Sequence, residues 1–209
     1  MKSITNLDLS KYEKMYDNFD GGHDRKHFIS VRKLAVSLAK KYAPDKIELA
    51  YIAATLHDIG LSVSRKNHEL NGEKLIKKDK YLKTNLSKDD FKELCHAIRQ
   101  HRASTGNPKT IVAKIVSDSD RNGGSNSSPQ ALIRSYNYGL KEFPGLSQDE
   151  QLLESAKHQM EKFSKGSYGR RTYFPETEER LDRICDPIIS AYKKQDLKYL
   201  RSLVKSLVK

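Results

Sequence analysis

The strongest constraint on the fold is one apolar run and the way it ends. Ile47 to Thr55 is apolar at nearly every position, and it closes on Leu56-His57-Asp58-Ile59-Gly60. A run of this length that carries Ala and Leu reads as a helix buried on all sides. Asp45 and Glu48 have the spacing of a capping box at its start. Gly60 is where the helix can stop, because Gly accepts the left-handed conformation common just past a helix end. An imidazole and a carboxylate therefore sit side by side at the end of a core helix. Burying both costs free energy unless they are compensated. A divalent cation would compensate them, and so would a hydrogen-bonded His–Asp pair.

The other apolar patterns are also helical. Phe28, Val31, Ala35, Leu38 and Tyr42 step by three and four, with His27 one turn before Val31 at the edge of this stripe. His23 lies four residues before His27 and shares its side if the helix starts early enough. Asp20-Gly21-Gly22 reads as a turn before it. A short polar helix is expected over Leu9–Tyr16, and another opens at His68 with Leu75 and Ile76. Lys77 to Asn85 reads as a charged connection. Ser87 and Asp90 predict a capped helix through Ile98, with His96 and His101 at and just past its end. Ile111, Val112, Ile115 and Val116 are β-branched enough to suggest a strand. No nearby segment offers a partner strand, so a helix is expected there. Asn122 to Pro129 has the composition of a flexible surface loop or a lid. Helices are then expected over Gln130–Leu140, from the Ser147/Glu150 capping box to Phe163, over Glu176–Lys194, and in the amphipathic tail from Leu197. The fold class is all-α: a helical bundle, read as one domain over 1–209, with a motif core over 20–125 and helices 130–209 packed on it.

Composition limits the alternatives. The net charge is +12, from 39 Lys and Arg against 27 Asp and Glu. Such a surface favours anionic partners. The charge is spread along the chain, however, and no basic–aromatic interleaving of the RNA-binding kind is present. Two distant cysteines, Cys95 and Cys185, form neither a disulfide framework nor a zinc-finger spacing. No apolar run approaches the roughly 20 residues that span a bilayer. These features lead to the expectation of a cytoplasmic protein without a membrane partner. A homodimer remains open.

The chemistry-bearing set is His27, His57-Asp58 and Asp120. Two imidazoles and two carboxylates suit one divalent ion such as Mn²⁺, Fe²⁺, Mg²⁺, Ni²⁺ or Zn²⁺. Such an ion activates water and polarises a phosphoryl oxygen.

In this order, H…HD…D resembles the HD superfamily of metal-dependent phosphohydrolases. Gly22-His23-Asp24-Arg25-Lys26-His27-Phe28, with Val31 and Ala35, is similar to the opening of a small bacterial-type branch. Ala53 to Gly60 resembles its central helix. His68 with Gly72, and His96-Ala97-Ile98 with His101, resemble its following helices. Asp118-Ser119-Asp120-Arg121 is similar to its D-A-D-R segment, and His158 to Phe163 with the Gly169-Arg170-Arg171 loop are compatible with its C-terminal region. Two departures stand out. Asn122-Gly123 replaces Leu-Asp after that segment, and the E-D pair of the branch that hydrolyses guanosine tetraphosphate is missing.

The resemblance implies an HD-domain helical bundle with the metal at its centre. His27, His57, Asp58 and Asp120 would be the ligands, with Asp118 the alternative to Asp120. His68, His96 and His101 would serve phosphate contact or proton transfer, with a second metal less favoured. Asp58, His101 and His96 are accordingly expected to be catalytic. Arg102, Arg121, Lys66, Arg65 and His68 are expected on the substrate, since Arg forks match phosphate oxygens. The implied reaction is metal-dependent hydrolysis of a nucleotide or related phosphate ester. A nucleic-acid-binding module with a structural metal, and a lyase or hydratase acting on a small molecule, are the alternatives.

Overall fold

The structure is a computed structural model, and it describes residues 4–19, 22–121 and 129–205. The expected turn at 20–22 begins outside these residues. The loop 122–128, including Asn122-Gly123, and the last four residues of the tail also lie outside them. All regular elements among the described residues are helical, as the 3.6-residue periodicity predicts. By packing, the chain divides into two compact units, residues 1–124 and 125–209. No helix among the described residues is long and apolar enough to cross a membrane.

The first unit opens with a short helix, α1 (Ser10–Glu13), continued by a 3₁₀ stretch, Lys14–Asn18. Helix α2 (Arg25–Tyr42) follows, then α3 (Ile47–Leu56), α4 (His68–Lys78), α5 (Lys80–Asn85), α6 (Lys88–Gln100) and α7 (Ile111–Asp120). Phe28, Val31 and Ala35 of α2 are buried with Ile52, Ala53 and Leu56 of α3, Ile98 of α6 and Val112, Ile115 and Val116 of α7. Burying each large apolar side chain here is worth about 1.5–3 kcal/mol. Helix α7 packs on α2, α3 and α6. Its β-branched residues find helical neighbours instead of a strand partner.

Several local expectations change. The capping box before α3 does not form. Pro44–Lys46 makes a 3₁₀ turn, Lys46 holds the cap position without a side-chain capping bond, and Glu48 Oε1 instead accepts from the Thr5 hydroxyl at 2.7 Å. The region 77–85 is two helix ends and not a connection: α4 runs to Lys78, and Asp79 caps α5 by accepting from Leu82 N–H at 3.0 Å. Gly60 does not adopt a left-handed conformation, since Gly166 is the only glycine with positive φ among the described residues. Helix α3 has already ended at Leu56, and Gly60 lies in a 3₁₀ turn, Ile59–Ser62. Its role is close approach. A Cβ there would fall 1.9 Å from His68 O and 2.4 Å from Gly72 N.

The second unit comprises α8 (Gln130–Glu142), α9 (Gln148–Phe163), α10 (Pro175–Lys193) and α11 (Leu197–Lys205). The Ser147/Glu150 box at the start of α9 forms in both directions. The core joins Leu132 and Tyr136 to Leu152, Ala156 and Phe163, to Leu181, Ile184, Ile188 and Ile189, and to Leu200 and Val204. In the segment 165–172, the side chain of Arg170 is only 6% exposed. It donates to Phe163 O and pairs with Asp182 and Asp186, so it ties α9 to α10.

Candidate metal centre

Three helix ends and two helix starts of the first unit converge on a buried polar cluster. Asp24 caps α2 and accepts from His27 N–H at 2.9 Å, which fixes His27 in the first turn of α2. His57 follows the last residue of α3. Asp58 leaves the helix at φ −102°, ψ 4°, a sparsely populated region often used by site residues. His68 is the first residue of α4 and His101 the residue after α6. Asp120 is the last residue of α7. His27, His57, Asp58, His68 and His101 are all buried.

The imidazoles come in two pairs. His27 Nε2 faces His57 Nε2 at 3.2 Å, and His68 Nε2 faces His101 Nε2 at 3.1 Å. Backbone carbonyls hold the outer nitrogens. Nδ1 of His57 lies 2.8 Å from Ala54 O, that of His68 3.3 Å from Arg65 O, and that of His101 2.7 Å from Ile98 O. A carbonyl can only accept, so Nδ1 of each of these rings carries the proton, and the lone pair of Nε2 points into the cluster. Two facing lone pairs repel unless a proton or a cation lies between them.

The carboxylate of Asp58 is shared between the pairs. Its Oδ2 lies 2.9 Å from His57 Nε2 and 3.5 Å from His27 Nε2. Its Oδ1 lies 3.3 Å from His68 Nε2 and 3.5 Å from His101 Nε2. The buried Oδ2 nevertheless has no hydrogen-bond partner among the described residues. Two groups of donors close enough to hold an ion result, His27–His57–Asp58 and Asp58–His68–His101, and they share Asp58. Asp120 Oδ1 joins the first group from outside, 3.2 Å from His27 Nε2 and 3.7 Å from His57 Nε2. Imidazole nitrogen and carboxylate oxygen are the donor set of a divalent-metal site, and inward lone pairs with an orphaned buried oxygen fit that group.

The cluster's electrostatics agree with this. Burial would push the His27 imidazolium down, but Asp120 and Asp58 reverse this and hold its pKa up at about 9. Burial would raise the carboxyls of Asp58 and Asp120. The surrounding imidazoles overcome it and keep both well below the usual carboxylate range. Anionic carboxylates at neutral pH are what a cation requires.

The remaining expected residues separate into those at the cluster and those away from it. Asp118 is fully buried and pairs with Arg121, its Oδ1 3.6 Å from Arg121 Nε, so the cluster takes Asp120. Arg121 is itself buried and donates to the Ser117 hydroxyl at 3.0 Å. It braces the end of α7 and is not offered to solvent. His96 is not brought to the cluster. Its Nε2 accepts from Lys109 N–H at 3.1 Å and ties down the loop before α7. Arg65 and Lys66 lie in an exposed segment, 62–67, that leads into His68. Arg102 is half-exposed, with Nη1 3.5 Å from Glu69 Oε2. Three further residues escape the sequence reading. His23 precedes α2, with its ring centroid 5.8 Å from that of His27 and 6.4 Å from that of His68. The His23–His27 spacing was the available signal, although the helix starts too late for both to lie on it. Glu69, buried next to His68, and Tyr16, beneath Asp58, carried no signal.

A bundle whose helix ends gather an H…HD…D set is the arrangement of a particular class, and comparison bears this out. Residues 25–122 match the family model of the HD domain. The match to the HD domain therefore falls within the first unit. Among solved structures, the fold is similar to that of a predicted HD superfamily hydrolase from an uncultured Thermotogales bacterium. The two share 18% identity with a TM-score of 0.58, over 91% of this chain and 90% of the other. No curated protein matches the chain.

Proposed function

We propose that this protein is a metal-dependent phosphohydrolase acting on a nucleotide or a related phosphate ester. The observation that carries the proposal is the Asp58 carboxylate, divided between two imidazole pairs whose Nε2 atoms face each other. His27, His57, Asp58 and Asp120 would hold one divalent ion. Asp58, His68 and His101 would hold a second. The second ion is the option less favoured from the sequence, and on this proposal His68 and His101 would be its ligands. Bound ions would lower the pKa of a water molecule and polarise a phosphoryl oxygen.

The chain's own residues supply the rest. Asp58 sets the spacing of the two arms. Asp120 is the partly open member of the set, its side chain 26% exposed. Arg102 follows His101 in the chain, its side chain is 41% exposed, and its fork suits phosphate oxygens. Arg65 and Lys66 add positive field beside His68 and draw an anionic substrate towards a site that contains two carboxylates. The name of the structural neighbour, a predicted hydrolase, supports this reading.

Metal analysis of the purified protein, paired with phosphate and pyrophosphate release from a nucleotide panel, tests the proposal. Wild type is expected to hold about two equivalents of a divalent metal and to turn over at least one nucleotide. Asp58→Ala should lose both properties. Metal binding without hydrolysis of any phosphate ester would refute the proposed reaction.

A further inference from the structure

Helix α3 ends at Leu56, directly before the His57-Asp58 pair, and a side chain from outside the region that matches the HD domain bonds to this end. Tyr16 lies in the 3₁₀ stretch Lys14–Asn18 and is only 1% exposed. Its ring packs on Phe28 at 4.4 Å and on Phe19 at 5.0 Å between centroids. Its hydroxyl donates to Thr55 O at 2.9 Å and accepts from Asp58 N–H at 3.3 Å. Both backbone groups belong to the end of α3, and the hydroxyl is inserted between them. A side chain inserted into the helical ladder ends or bends a helix at that point. Both groups lie in buried residues, where an unpaired polar group is costly. The hydroxyl thus supplies the bonds that let Asp58 leave the helix at φ −102°, ψ 4°. That turn is what presents one carboxylate oxygen to each imidazole pair.

We propose that Tyr16 is a positioning residue for the metal centre: its hydroxyl, by bridging Thr55 O and Asp58 N–H, fixes the orientation in which the Asp58 carboxylate is shared between the two arms. The inference rests on the two-ion reading above. It predicts that loss of the hydroxyl alone loosens the shared ligand and weakens both arms together, since Asp58 belongs to both. Partners that orient ligands in this way typically change metal affinity 10–100-fold.

The test is Tyr16→Phe, which keeps the packed ring. Metal-free wild type and variant are loaded with Mn²⁺ and followed by calorimetric titration and electron paramagnetic resonance. Leu82→Ala on α5, which carries none of the cluster residues, serves as a control for general loss of stability. Wild type is expected to bind two Mn²⁺ with the spectrum of a bridged, magnetically coupled pair. Tyr16→Phe should bind at least about tenfold more weakly and lose the coupled signal, while Leu82→Ala melts earlier but keeps affinity and coupling. If Tyr16→Phe matches wild type in affinity and spectrum, the inference is wrong. It is equally wrong if Leu82→Ala shows the same losses. Should Tyr16→Phe fail to fold, Tyr16→Trp, which retains a ring and an N–H donor but no acceptor, is titrated instead. Wild-type affinity in that variant would also overturn the inference. A single uncoupled Mn²⁺ in wild type would refute the two-ion reading, and the affinity ratio of Tyr16→Phe to wild type would then still decide the role of Tyr16.

Discussion

Gly60→Ala is the most informative single change outside the cluster. The backbone at Gly60 suits any residue, so the penalty is steric. The added Cβ would lie 1.9 Å from His68 O, 2.4 Å from Gly72 N and 2.9 Å from His68 C, where ordinary contact begins at 3.4 Å. All three are backbone atoms, and none can rotate away. The turn 59–62 and the start of α4 must part by about 1.5 Å, the difference between 3.4 and 1.9 Å. Overpacking of this kind costs about 3 kcal/mol, the upper end of its usual range. The alanine recovers roughly 0.5 kcal/mol by restricting the unfolded chain. The net loss is then about 2–3 kcal/mol, or roughly 10 °C in melting temperature for a unit of this size. The same displacement carries His68 away from Asp58 Oδ1, now 3.3 Å away, and opens the His68–His101 arm. Differential scanning calorimetry on metal-free protein and metal analysis on loaded protein read the two effects. A melting temperature within about 2 °C of wild type, with full metal content, would refute the close-approach argument.

Two pH-linked outcomes follow from the same geometry. His27 is held up at about 9 by Asp120 and Asp58, so in the metal-free protein it adds stability that is fully present below pH 6.5 and lost as pH rises through about 9. A metal ion must displace that proton, so loading at pH 7 should release about one proton; calorimetry in buffers of different ionisation enthalpy measures this. Asp79 lies away from the centre. Burial would raise its carboxyl, but Leu82 N–H, the Tyr12 hydroxyl and Lys11 bring it below its usual value. Its contribution is present above the ordinary carboxylate range and lost as pH falls through the lowered value. Asp79→Ala should cost about 1–2 kcal/mol at pH 7, and denaturant titrations should show the gap from wild type closing in acid.

The helices were legible because their apolar residues recur at the helical period, and the His57-Asp58 pair because two adjacent polar groups close an apolar run. The choice of Asp120 over Asp118 was not fully legible. Both lie on α7, and only packing shows that Arg121 claims Asp118. The meeting of the second imidazole pair was not legible for a similar reason. His68 starts one helix and His101 follows another, and no spacing in the sequence announces that their Nε2 atoms meet at 3.1 Å. His96 looked equivalent to His101 in the sequence, yet it points to the loop before α7. Gly60 was read through the commonest use of glycine after a helix, whereas its neighbour across the gap, Gly72 of α4, was the clue to tight packing. Glu48 was assigned to a cap because the Thr5 hydroxyl, distant in the sequence, could not be foreseen.

The donors that surround Asp58 run from His27 to Asp120, nearly the whole length of the first unit. A chain growing from its N-terminus acquires Asp120 last, together with the helix α7 that packs on α2, α3 and α6, so the full donor set is assembled only when that unit is complete. Ion and fold are then thermodynamically linked. Free metal at 100 times its dissociation constant adds about 2.7 kcal/mol to the native state, a large share of what holds a domain together. The amount of intact protein in a cell would follow the cell's metal supply, and scarcity would be felt first as turnover of the protein and only afterwards as lost chemistry.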